Sequence, residues 1–221
     1  SKNARKLGGD VGALPAEGTG EVVQKWLDMI AEKQYSYLLK SMLVRSMQRA
    51  EYAAENIGHF GLASEYYTHF TSPIRRYPDL LVHRLLKKFY FQENIKLDTG
   101  ELPVQAMHCF TMERNAEDAE REFHLYKKLA YLRNNTGRVY DADINRLASS
   151  GFFVFLTELL MSGYVDAAVL PRGRYDFDTE KGAVYNRRGG VRYRLGEPID
   201  VQWLRTDMDK LEADFIPESA L

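Results

Sequence analysis

The stretch HFTSPIRRYPDLLVHR, His69 to Arg84, gathers groups suited to holding a phosphate. Arg75 and Arg76 stand side by side, Thr71 and Ser72 supply hydroxyl donors, and His69 and His83 supply imidazoles. An apolar helical run follows. A helix N-terminus exposes unpaired N–H groups and a partial positive charge, so it attracts anions. Guanidinium groups beside it suit bidentate contact with phosphate oxygens. A second reading pairs one or both arginines with carboxylates such as Asp79 or Glu65. Spacing alone leaves the two open.

The elements that must position this turn are legible around it. Pro78 fits the first helical position, where its missing N–H has no partner. Alternatively, Ser72 caps an earlier turn starting at Pro73, which is broken at Pro78. In the helix that follows, Val82, Leu85, Leu86 and Phe89 are spaced to face inward. The stretch LGGDVGALPAEGTG reads as a loop or an entering tail. Val23, Trp26, Leu27 and Ile30 mark a short amphipathic helix. A second places Leu39, Met42, Leu43, Ser46 and Met47 on one face. Residues 51–70 read as irregular, and FQENIKLDTGELP as a loop. The clearest helix spans about 103–134, where Met112, Ala116, Ala119, Phe123, Tyr126 and Ala130 form one sustained stripe.

Composition changes at Gly137. Val139 and Ile144, FFVFL, GYVDAAVL, Ile199/Val201/Trp203 and Leu211/Ala213/Phe215 give five strand candidates, partly alternating. Five short strands in about 80 residues suit a closed OB-type barrel. The expected architecture is α+β: a mainly helical part over 1–135, then a barrel over 136–221. Across 172–194, Arg172, Arg174, Lys181, Arg187, Arg188, Arg192 and Arg194 outnumber Asp176, Asp178 and Glu180, with Tyr175, Tyr185 and Tyr193 interleaved. This pattern suits a nucleic-acid backbone; a charged, solvated loop is the other reading.

The chain has 221 residues, 45% of them hydrophobic, enough for one good-sized core or two modest ones. It has no apolar run of about 18 residues, and no apolar signal segment is visible near residue 1. A single cysteine, Cys109, excludes an internal disulfide, fits a reducing compartment and reads as helix packing. The formal net charge of −1 does not advertise nucleic-acid binding, but clefts are built from local charge.

The segment IGHFGLASEYYTHFTSPIRRYPDLLVHRLL closely resembles the most distinctive segment of the ribonuclease II / ribonuclease R family, processive 3′–5′ exoribonucleases that degrade single-stranded RNA. The resemblance extends along the chain, in the order expected of the end of an RNB catalytic domain followed by an S1-type RNA-binding OB domain. It implies that Arg75, in the SP-x-R motif, lies beside the scissile phosphate and stabilises charge on the phosphoryl oxygens. Arg76 is a neighbouring backbone contact or a structural ion pair, and His69 and Ser72 fix the turn beside the RNA. A glutamate facing the terminal nucleotide aligns at Glu120, or at Glu117 one turn earlier. In the barrel, Phe153 occupies a usual base-stacking position. Ser150 stands where a second aromatic is common and Asp166 where a histidine is common. Arg172, Arg174, Arg187 and Arg188 are the expected electrostatic contacts to RNA.

The family's Mg²⁺ site uses an aspartate cluster, D-x-x-x-x-x-D-x-D-D, and this chain has no Asp-Asp pair. Its close acidic pairs, Asp141/Asp143, Asp176/Asp178 and Asp207/Asp209, read as solvated edges or turns. The resemblance therefore implies part of a cytoplasmic exoribonuclease, inactive alone. It would bind single-stranded RNA and be completed by an upstream segment on the same or a separate polypeptide. The competing expectation is a non-catalytic module that docks RNA or a ribosomal partner.

Overall fold

The computed structural model describes residues 20–32, 36–47, 49–91, 99–171, 173–187 and 189–221. The glycine-rich stretch before Gly20 and most of the loop after Phe91 lie outside the described residues, as do Arg172 and Arg188. Among the described residues there are four α-helices: α1 (Gly20–Ile30), α2 (Ser36–Ser46), α3 (Tyr77–Phe91) and α4 (Leu102–Asn134). Eight strands follow: β1 (Val139–Ala148), β2 (Gly151–Leu156), β3 (Met161–Asp166), β4 (Tyr175–Asp178), β5 (Ala183–Asn186), β6 (Val191–Arg194), β7 (Pro198–Asp207) and β8 (Glu212–Pro217). The fold class is α+β with an OB-type barrel. Two compact units emerge, Gln48–Glu120 and Ser1–Met47 with Arg121–Leu221, divided inside α4.

The barrel closes in the order β1-β2-β3-β8-β7. All its pairings are antiparallel except β3 with β8, where Tyr164 meets Asp214 in parallel. Strand alternation sends Tyr140, Ala142 and Ile144 of β1, Phe152 and Val154 of β2, and Phe215 of β8 inward, all buried. Leu129 and Leu132, from the last turns of α4, join this core at zero exposure. A second cluster joins Trp26 and Ile30 of α1, Leu39 and Leu43 of α2, and Leu195. The i, i+4 spacing in both helices places each pair on one face.

Gly163 is the tightest point of the barrel. A Cβ there would collide with the Phe215 ring and come within 3.1 Å of the Ala213 carbonyl oxygen. Only a residue without a side chain lets β3 close against β8.

Three expectations need correction. The basic, tyrosine-interleaved stretch 172–194 is outside the five strand candidates, yet it includes β4, β5 and β6, an antiparallel sheet in that order. Its Val184 and Tyr193 are buried in the barrel core. The α3 stripe does not point wholly inward: Val82 and Leu85 are half-buried, but Phe89 is 66% exposed. The α4 stripe is likewise open, with Met112, Ala116, Ala119, Phe123 and Tyr126 all exposed, while Cys109, Leu129 and Leu132 are buried. Periodicity marks an apolar face but not what covers it.

Gly163→Ala is expected to destabilise the barrel by about 1–3 kcal/mol through overpacking, read as a lower urea midpoint. An unchanged midpoint would mean that β3 and β8 can separate without cost.

Candidate functional site

The arginine turn is built on one buried carboxylate. The Ser72 carbonyl accepts hydrogen bonds from the N–H groups of Arg75 (3.2 Å) and Arg76 (3.0 Å), closing one turn over Pro73–Arg75. The chain breaks there, and α3 starts afresh at Tyr77. Asp79, in the first turn of α3, has no exposed surface. Its Oδ1 accepts from the Ser72 N–H at 2.7 Å and from Arg76 Nη2 at 2.9 Å. Burial acts to raise the Asp79 carboxyl, but the Ser72 N–H, the Arg76 guanidinium and His69 prevail and hold it below the ordinary value.

A polar chain backs this carboxylate. His69 Nδ1 lies 4.0 Å from Asp79 Oδ2 and 3.0 Å from the Tyr52 hydroxyl. Burial, then a hydrogen bond to Glu113, push the Tyr52 phenol well above its usual range. The Tyr52 hydroxyl and His69 Nδ1 thus join Glu113 and Asp79 in one polar chain. His83 Nε2 donates to the Phe70 carbonyl at 2.8 Å, tying α3 to the segment entering the turn.

These contacts separate the two arginines. Arg76 is committed to Asp79, an ion pair whose carboxylate side is fully buried. Arg75 is exposed, and the one hydrogen bond its guanidinium makes among the described residues is to Ser72 Oγ at 3.5 Å. It forms no ion pair there. On α4, Glu117 is taken by Arg114 at 3.1 Å. Glu120 is exposed and lies seven residues beyond Glu113, on the same helix face and about 10 Å further along the axis. Cys109 is buried, and burial followed by the Glu113 charge push its thiol up.

The barrel carries a ring pair that the sequence only half revealed. Phe153 is half-buried, its centroid 5.0 Å from that of Tyr164, its cross-strand partner. The Arg146 guanidinium lies 3.7 Å from the Phe153 centroid. Ser150, the apparent gap in the platform, is hydrogen-bonded to the Tyr164 hydroxyl at 2.9 Å. The phenol lies where a Cβ of Gly151 would be, so only glycine admits it. A ring from β3 thus sits beside Phe153 despite Ser150. The missed signal was the alternation in GYVD, where buried Gly163 and Val165 turn Tyr164 to the outer face. Asp166 Oδ1 accepts from the Ala168 N–H at 2.8 Å and caps a short turn. Phe152 points inward and is fully buried.

Arg174 and Arg187 are exposed beside the three-stranded sheet. Asp178 and Asp207 each close a turn by accepting two backbone N–H groups. Among the described residues, no group of three or more His, Cys, Asp or Glu side chains is placed to hold a metal ion. None of the described helices is long and apolar enough to cross a membrane.

Comparison with known proteins places this geometry. The model of the RNB domain matches residues 8–92. Ribonuclease R of Thermotoga maritima is 40% identical over 201 residues, 88% of this chain and 28% of that protein. Mycoplasma genitalium RNase R in its apo form superposes with a TM-score of 0.80 at 26% identity, covering 98% of this chain and 36% of that one. Its complex with ribose-methylated single-stranded RNA gives 0.79 over the same shares. Yeast Ssd1, a pseudonuclease, gives a TM-score of 0.62 at 25% identity, over 84% of this chain and 24% of that one. The fold and the turn define a helical RNB-type segment joined to an OB-type barrel. This chain belongs to the ribonuclease R family, and it spans about a quarter of the length of the curated relatives it matches.

Asp79→Asn is expected to lower stability by about 3 kcal/mol at pH 7, because it leaves Arg76 half-buried and unpaired. Asp79 is held below its unfolded pKa. Its contribution is therefore complete above about pH 4 and is lost as pH falls through the lowered value. Urea midpoints from pH 7 to pH 3 should show wild type and variant converging at the acid end.

Proposed function

We propose that this chain is part of a processive 3′–5′ exoribonuclease that hydrolyses single-stranded RNA to nucleoside monophosphates. The carrying observation is the division of labour in the arginine turn: Arg76 is spent on Asp79, while Arg75 is held out, exposed and without an ion pair among the described residues. A fixed guanidinium aimed at a phosphodiester neutralises the charge that builds on its non-bridging oxygens. Glu120 is the group assigned to the terminal nucleotide, supported by its exposure and its place on the Glu113 face. Ser72, His69 and Arg76 act through the turn, positioning Arg75 against the RNA. Phe153, with Tyr164, stacks bases on the barrel, and Arg172, Arg174, Arg187 and Arg188 contact phosphates. The functional boundary falls at 135–136, between the catalytic helices and the RNA-binding barrel.

Hydrolysis in such an enzyme relies on Mg²⁺, which supplies charge neutralisation and an activated water. The described side chains do not fit that ion, since they bring no carboxylate cluster together. Its ligands are assigned to another segment, on the same or a separate polypeptide. The surface of residues 48–120 supports such a partner. Phe89, Phe91, Val104 and Met107 are each more than 60% exposed and are the surface such a segment would cover. The single buried cysteine is consistent with the cytoplasm as the place of action.

A non-catalytic RNA-docking role is the second reading, favoured by the similarity to a pseudonuclease. The two separate in the complete enzyme. Arg75→Ala should lower kcat by about 100-fold or more while RNA affinity is kept. Equal turnover in the variant would remove Arg75 from catalysis and favour docking. The purified chain with Mg²⁺ and a single-stranded oligonucleotide should release no nucleotides, measured by chromatography. Robust release would overturn the need for a completing segment.

A further inference from the structure

The second oxygen of the buried carboxylate depends on His69. Asp79 Oδ1 takes both hydrogen bonds, from the Ser72 N–H and from Arg76. Oδ2 is buried without a hydrogen bond among the described residues, and His69 Nδ1 lies 4.0 Å from it. Where that imidazole sits therefore bears on how Asp79 holds Arg76, and through Arg76 on where Arg75 points.

Two tyrosines hold the imidazole. Their rings meet it edge-on, Tyr52 at 5.4 Å and Tyr67 at 5.9 Å between centroids. Tyr67 is braced in turn by the His59 ring at 4.7 Å. His59 is locked in its own short turn, its Nδ1 accepting from the Leu62 N–H at 3.1 Å. Tyr52 does more than pack. Its hydroxyl lies 3.0 Å from His69 Nδ1 and is hydrogen-bonded to Glu113 on α4. After burial and Glu113, which raise its pKa, Arg76 lowers it and Asp79 raises it, so the phenol lies within the field of that ion pair. One hydroxyl thus joins three segments: its own, the entry to the arginine turn at His69, and α4. All of them lie in the compact unit Gln48–Glu120.

We propose that Tyr52 is a positioning residue for the reaction. Its hydroxyl fixes His69 beside Asp79 and ties α4 to the arginine turn, so that Arg75 is presented in one orientation relative to the helix that carries Glu120. Side chains that do chemistry are held in place by neighbours locked through packing and hydrogen bonds. Tyr52 acts through Arg75 and not on the RNA itself, so it bears on turnover and not on affinity. This rests on the roles given above to Arg75 and Glu120 and goes beyond them by assigning Tyr52 and Glu113.

The test is steady-state kinetics of the complete enzyme with Mg²⁺ and a single-stranded oligonucleotide. Tyr52→Phe keeps the ring and removes one oxygen. It should lower kcat about ten-fold, since a misplacement of about 1 Å is enough to cost more than that, and leave KM within about two-fold. Glu113 is exposed, so Glu113→Ala removes the far end of the bond without opening a core, and the same fall in kcat is expected. Glu113→Gln, which keeps a hydrogen-bonding group, should restore most of it. The double variant Tyr52→Phe/Glu113→Ala should fall no further than either single one, because both break one link. Added to Arg75→Ala, Tyr52→Phe should cost less than about two-fold. Wild-type kcat in Tyr52→Phe and Glu113→Ala, while Arg75→Ala loses turnover, overturns the positioning role alone. So does a raised KM at unchanged kcat, or a full loss on the Arg75→Ala background. Turnover kept by Arg75→Ala overturns the reading of Arg75 on which the proposal rests.

Discussion

The buried carboxylate of Asp79 is the contact on which the arginine turn depends. A carboxylate with no exposed surface survives only if its charge is matched. Ser72 and Arg76 meet that demand at Oδ1, and His69 approaches Oδ2. In doing so they specify the local backbone. The Ser72 N–H must face α3, the turn over Pro73–Arg75 must close, and Arg76 must fold back. Arg75 is the cation this geometry leaves over. Its exposure is thus a consequence of the ion pair next to it.

The same economy shapes the barrel. Closure of β3 against β8 requires Gly163 beneath the Phe215 ring, and the Tyr164 phenol requires Gly151 beneath it. These two glycines make room on opposite sides of the wall, one for the core and one for the outer ring pair. Between β3 and β7 the chain inserts a three-stranded sheet rather than a loop. That sheet spends Val184 and Tyr193 on the barrel core and keeps its arginines outside. Charge and aromatic surface are therefore carried on a rigid support.

Much of this was legible beforehand, because its signals are local. Helix faces at Trp26/Ile30 and Leu39/Leu43, the break around Pro78, and strand alternation in FFVFL all follow from spacing and backbone chemistry. The strands YDFD, AVYN and VRYR are not legible in the sequence, since four residues of alternation under heavy charge look like a solvated turn. Tyr164 is hidden for a related reason: its partners Ser150, Gly151 and Phe153 lie in and just before another strand. The open stripes of α3 and α4 show the converse limit. Their apolar periodicity is real, but the surface that would cover it is not among the described residues.

The sequence by itself determined the order of the helices and of the five barrel strands, the OB-type class of the barrel, and the presence of two adjacent arginines before a helix. Each depends on residue type and near-neighbour spacing. Only the tertiary structure decided which arginine is spent and which is presented, because that turns on the 2.9 Å bond from Arg76 to Asp79 across a broken turn. It likewise decided that Ser150 is a support for Tyr164 rather than a gap, and that Glu117 is taken by Arg114. Each of these choices rests on a hydrogen bond or ion pair made at short range in space, and spacing along the chain does not encode which of several possible partners wins.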